Sequence, residues 1–152
     1  DAIFSRFDDL TEHSGLEKIK TIGDAYMVAA GIPEARPDHA SALAELALRM
    51  QAAIKEFPGL AIRIGINSGA VVAGVIGKKR FIYDLWGDTV NIAARMESQG
   101  ISGEIQISEA TRAMLPASFA CEERGEIHIK GKGPMRVFLL KGRAQHDAAT
   151  SG

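Results

Sequence analysis

The sequence predicts an α+β fold in which helices pack on a largely antiparallel sheet. Three observations carry this. Short apolar segments meet in pairs across glycine-containing turns, at Gly23-Asp24 and at Lys130-Gly131-Lys132-Gly133, as antiparallel hairpins do. Between the hairpins, residues 39–57 carry apolar side chains at i, i+3, i+4 spacing, the mark of a helix with a buried stripe. Finally, 152 residues are domain-sized and long enough to bury a real core.

The elements follow in chain order. Ile3, Phe4, Phe7 and Leu10 stand at helical spacing, so residues 1–13 read as an amphipathic helix closed near Ser14-Gly15. No start signal precedes them, and the sequence reads as part of something longer. Leu16–Ile22 and Ala25–Gly31 read as strands joined at Gly23-Asp24. A loop with two prolines, Pro33 and Pro37, leads to the long helix, with Leu43, Leu46, Ala47, Met50, Ala53, Ile54 and Phe57 on one stripe and Pro58-Gly59 as its stop. Residues 60–67 alternate in part, Ile62, Ile64 and Ile66 against Arg63, and residues 70–76 are small or β-branched, which suggests a second hairpin through Ser68-Gly69. Asp88 or Thr89 can cap a helix running to about Ser98. A short strand over 104–107, a short helix from Ser108, and a last hairpin of 123–129 with 135–140 complete the domain. It spans residues 1–143, and the small, polar residues 144–152 form a flexible tail.

Composition excludes several classes. A net charge of −1 with 24% charged residues gives no basic excess of the kind that binds nucleic acid. The apolar runs fall short of the roughly 20 residues that span a bilayer, and no leader with an apolar core and small-residue cleavage site is visible. The one cysteine, Cys121, cannot form an internal disulfide, which fits a reducing compartment. Cytoplasmic placement follows, either free or as the cytoplasmic part of a membrane-attached protein. His13, His39, His128 and His146 share no metal-ligand spacing. Gly65, Gly69, Gly74 and Gly77 do not form a phosphate-binding glycine fingerprint.

Two runs carry the chemistry. Lys20-Thr21-Ile22-Gly23-Asp24-Ala25-Tyr26-Met27 sets a cation and a carboxylate around a tight turn. Phe81-Ile82-Tyr83-Asp84-Leu85-Trp86-Gly87-Asp88-Thr89-Val90-Asn91-Ile92-Ala93-Ala94-Arg95-Met96 sets an aspartate before a Trp-Gly turn, then Asn91 and Arg95 at i and i+4 on one helix face. Tyr83 and Trp86 are expected to pack under that turn. Cations, carboxylates and an amide in such an array suit a nucleoside triphosphate. These segments closely resemble the catalytic domain of the class III nucleotidyl cyclases, adenylyl type, over about residues 1–141.

The resemblance implies a ferredoxin-like core and conversion of ATP to 3′,5′-cyclic AMP and pyrophosphate, with Mg²⁺ or Mn²⁺. It implies substrate binding by Lys20 and Asp84 at the base. A lysine donates to N1 and an aspartate accepts from the N6 amino group of adenine, while guanine reverses that pattern. Guanylyl cyclases carry Glu and Cys at these two positions, which disfavours that reading. Lys18 shares the parity of Lys20, and the family spacing before Asp24 selects Lys20. Asn91 and Arg95 match the pair that stabilises charge on the α-phosphate, so they are the catalytic candidates. Lys130 matches a phosphate-contacting lysine, with Lys132 a weaker candidate. Asp24 matches the second of two metal-binding aspartates. The first belongs to a Phe-x-Asp-hydrophobic-x-x-Phe segment on a first strand, and no such segment occurs here. The resemblance further implies a head-to-tail homodimer with shared active sites, Asp24 serving one site and Lys20, Asp84, Asn91, Arg95 and Lys130 the other, and regulatory domains fused N-terminally. A cyclase-like nucleotide-binding or dimerisation module without catalysis is the alternative from another class. A domain-swapped or partly unfolded piece is a third, because a sheet lacking its first strand exposes an edge.

Overall fold

The computed structural model of the chain describes residues 2–32, 34–76 and 82–144. The tail expectation for 144–152 falls, from residue 145 on, outside the described residues, as does His146. Helix α1 (Ala2–His13) stops where the periodicity predicts. Gly15 turns the chain with φ +69°. The Gly15 N–H donates to Glu12 O (3.0 Å) and the Leu16 N–H to Thr11 O (3.2 Å), the bond pair of a glycine-terminated helix.

Strands β1 (Glu17–Ile22) and β2 (Ala25–Ala29) form the expected hairpin, with Ile22 opposite Ala25. Gly23 takes φ +58° in its two-residue loop, while no non-glycine residue in the described chain has positive φ. A bulge between Lys18 and Lys20 shifts the register, so the two lysines do not share the environment that strict alternation assigns them. Lys18 is exposed and pairs with Asp8 of α1 (3.0 Å), whereas Lys20 is half-buried. Asp8 also accepts from the Tyr26 hydroxyl (2.6 Å), and this bond, with the Lys18 charge, holds its carboxyl below the usual range. The Tyr26 ring packs tilted against Phe4 and edge-to-face with Phe7, clasping α1 to the hairpin.

Helix α2 (His39–Ile54) buries two faces rather than the single stripe expected. Ala40, Ala44 and Ala47 meet Ile66, Ile105, Ile107, Phe138 and Leu140 of the main sheet. Leu46, Met50 and Ile54 meet Phe7 of α1. The small alanines let the helix approach the sheet closely, and the larger residues fill the gap on the other side.

Among the described residues the strand ladders fall into three groups. Besides β1-β2, a four-stranded sheet has the order β3-β6-β8-β7, and β4 pairs with β5. The last hairpin is longer than its apolar runs indicate, β7 covering Phe119–Ile129 and β8 Gly133–Arg143. Antiparallel pairing dominates, as the sequence predicts, with one parallel exception. Strand β3 (Ile64–Ile66) runs parallel to β6 (Ile105–Ser108), Ile64 opposite Ile105 and Ile66 opposite Ile107. The expected hairpin through Ser68-Gly69 is therefore not formed. Strand β4 (Val72–Ile76) pairs instead with β5 (Ile82–Trp86). The reason lies in side chains that a turn would have left in solvent. Ser108 donates to Asn67 Oδ1 (2.6 Å), and the Ser68 and Thr111 hydroxyls meet at 2.8 Å, drawing residues 67–68 toward β6 and α4 (Glu109–Met114). Ser108 caps α4 as expected, accepting the Thr111 N–H at 3.3 Å.

Helix α3 (Asp88–Ser98) differs at its start. Gly87, with φ +116°, occupies the cap position, and no side chain caps the helix there. Asp88 and Thr89 are engaged elsewhere. No helix among the described residues is long and apolar enough to cross a membrane.

Candidate active site

Helix α3 is fixed to its surroundings at three points. At its middle, Ile92 and Met96 pack against Ile129 and Val137 of the β7-β8 hairpin. Near its start, Asn67 Nδ2 donates to Thr89 O (3.1 Å) and Thr89 Oγ1 donates to Ala70 O (2.6 Å). Near its end, fully buried Gln106 donates to Met96 O (3.0 Å), and Arg124 donates to Gln99 O (2.8 Å) and to Gln106 Oε1. Buried polar groups joined in this way favour one helix position over its neighbours. Gly65 of β3 makes the close approach possible, because a Cβ there would lie 2.2 Å from Glu97 N.

With Ile92 and Met96 inward, Asn91 and Arg95 come to the exposed flank of α3, one turn apart. They line a cleft of about 380 Å³ together with Asp88 and the turn Lys130-Gly131-Lys132 between β7 and β8. Gly131 adopts φ +84° in that turn, and the Lys132 N–H donates to Ile129 O (2.8 Å). Lys132 pairs with Asp88 across the cleft (2.6 Å). Arg95 and Lys130 have no ion pair among the described residues. The cleft therefore presents two uncompensated cations and an amide, which is what a phosphate chain requires.

The structure thus brings Asn91, Arg95 and Lys130 together. Lys20 does not line this cleft; it sits on β1, which lies beside β5, the strand that carries Asp84 opposite Gly74. The side chains of Asp84, Tyr83 and Trp86 lie outside the described residues. Asp24 stands exposed at the β1-β2 turn and does not line the cleft either. Among the described residues no three His, Cys, Asp or Glu side chains gather to hold a metal. Asp24 belongs to no such group among the described residues, and one carboxylate there fits Mg²⁺ as a single ligand beside phosphate oxygens and water. Asp8, another acidic group near this hairpin, is already held by Lys18 and Tyr26.

Sequence reasoning missed the supports. Gly65, Asn67, Thr89, Gln106 and Arg124 position the helix through contacts distant in the chain. The local signals there pointed elsewhere: Ser68-Gly69, beside Asn67, to a turn, and Thr89 to a helix cap.

Comparison with known proteins agrees with this geometry. Residues 1–142 match the profile of the adenylate and guanylate cyclase catalytic domain. An adenylate cyclase from Mycobacterium tuberculosis is 49% identical over 148 residues, covering 94% of this chain and 33% of that protein. A membrane guanylyl cyclase of Dictyostelium discoideum is 43% identical over 145 residues, covering 95% of this chain and 10% of the relative. The chain thus spans a third or less of these relatives. The crystal structure of the guanylate cyclase domain of RhGC from Catenaria anguillulae, in complex with GTP, superposes with a TM-score of 0.87 at 39% identity, covering 94% of this chain and 81% of that one. The chain belongs to the adenylate and guanylate cyclase catalytic domain family.

Proposed function

We propose that this domain converts ATP to 3′,5′-cyclic AMP and pyrophosphate. The observation that carries the reading is the meeting of Asn91, Arg95 and Lys130 in one cleft. Attack of the ribose 3′-hydroxyl on the α-phosphorus builds charge on the phosphate oxygens. Arg95 and the Asn91 amide, held on a helix fixed at three points, donate to those oxygens without rearrangement during the reaction. Lys130 binds the outgoing phosphates. Asp24 would hold Mg²⁺ or Mn²⁺, which when bound activates the 3′-hydroxyl and neutralises the triphosphate.

Lys20 and Asp84 set the base. Their donor and acceptor match adenine, while relatives named as both adenylate and guanylyl cyclases leave the base open. The position of Asp24 away from the cleft supports a head-to-tail homodimer, in which one chain's turn completes its partner's site. A relative three times as long supports fused segments, which we read as regulatory and N-terminal, and the single cysteine fits a reducing, cytoplasmic location.

Product formation from ATP and from GTP tests the reading. The unaltered protein should prefer ATP. Changing Lys20→Glu together with Asp84→Cys should lower ATP use and raise GTP use, since each unpaired polar group left in the site costs about 1–3 kcal/mol. An unchanged ratio in the double variant would place base selection elsewhere.

A further inference from the structure

We infer that Lys132 is a positioning residue whose task is to neutralise Asp88 at the mouth of the phosphate cleft, and that it does not itself contact the substrate. This rests on the triphosphate reading of that cleft. Asp88 Oδ2 and Lys132 Nζ lie 2.6 Å apart, and both residues line the cleft with Asn91, Arg95 and Lys130. Asp88 opens α3, where a carboxylate is favoured by the helix dipole. The same carboxylate, unpaired, would repel a polyanion within two helical turns of the groups meant to receive it.

The two turn lysines therefore divide the work. Lys130 is exposed and has no ion pair among the described residues, so its charge is available to phosphate. The Lys132 ammonium is committed to Asp88 and bridges the start of α3 to the tip of the β7-β8 hairpin. Gly131 and Gly133, with φ +84° and +82°, give the tip the backbone course in which Lys130 and Lys132 leave it separately. Both partners are about half exposed, 58% and 43% at the side chain, so the pair adds little to folding stability. Its consequence is electrostatic: an acid at an anion site is cancelled.

The test is titration of a fluorescent ATP analogue into the chain and three variants, with the KM for ATP measured alongside in the full-length protein. Lys132→Ala should weaken binding roughly fivefold and raise KM to match with kcat little changed, the scale of one exposed charge pair. Asp88→Asn should bind at least as tightly as the unaltered chain. The double variant Lys132→Ala with Asp88→Asn should recover the original affinity, because the acid that needed cancelling is gone. If the double variant stays as weak as Lys132→Ala, Lys132 contacts phosphate directly and the inference is overturned. Binding without any cyclic product would refute the catalytic reading while leaving this one to be judged by the affinities. No binding by the unaltered chain would overturn both.

Discussion

Alanine at Asn91 or at Arg95 should lower cyclic AMP formation by the full-length protein about 100- to 1000-fold, the usual cost of one preorganised charge-stabilising group. Folding stability should stay within about 0.5 kcal/mol, since surface changes away from packed features rarely do more. Both side chains are exposed, and Arg95 has no ion pair among the described residues. Ile92 and Met96, which these variants leave intact, hold the helix. The effect should appear in kcat more than in KM, because the stabilised charge develops only in the transition state. An Asp24→Ala chain should be similarly inactive for a different reason, the loss of a metal ligand. Mixing inactive Asp24→Ala and Asn91→Ala chains should restore part of the activity, because some heterodimers regain one intact site. Shared sites are the wrong picture if heterodimers form and the mixture stays inactive.

What could be read from the sequence was local. Asn91 and Arg95 share a face because their separation is one helical turn, and Lys130 joins them because a short glycine-containing hairpin puts it near that face. The first and last hairpins were legible from their turns. The partner of β3 was not. Its three residues alternate as any half-buried strand does, and the strand it lies along begins about forty residues later, so nothing nearby names the pairing. Ser68-Gly69 looked like a turn because the sequence does not reveal that Ser68 meets Thr111 and Asn67 meets Ser108. Lys18 and Lys20 looked equivalent because a period of two presumes no bulge, and the bulge separates them. Asp88 looked like a cap because its type and position suit one, yet Gly87 takes that place and the carboxylate faces Lys132. For β3, Ser68-Gly69 and Asp88, a long-range contact outweighed a local preference.

The same long-range dependence makes Gly65 a consequential position outside the cleft. Gly65→Ala should lower stability by about 1–3 kcal/mol, the range for an overpacked methyl, and cut turnover by roughly 100-fold, as misplacing catalytic groups by about an ångström does. The added Cβ would stand 2.2 Å from Glu97 N, 2.6 Å from Met96 C and 2.7 Å from Met96 Cβ. Two of these three atoms are backbone, so no flexible side chain can swing away to make room. The backbone itself is tied, with Met96 O accepting from buried Gln106 and Gln99 O from Arg124. Relief must come from shifting α3 off β3, and that shift carries Asn91 and Arg95 away from Lys130. A stability loss alone would not establish this, so Gly59→Ala serves as the comparison. Gly59 has φ +83°, and a methyl added there would meet nothing within 4 Å, so alanine is strained at this position but displaces no helix. It should cost about 1 kcal/mol of stability, the usual penalty for a left-handed alanine, and keep its turnover. Thermal unfolding and kcat measured on both variants separate the two effects. Should Gly65→Ala lose stability yet turn over at the unaltered rate, the position of α3 does not govern the chemistry, and Asn91 and Arg95 tolerate far more displacement than a preorganised site permits.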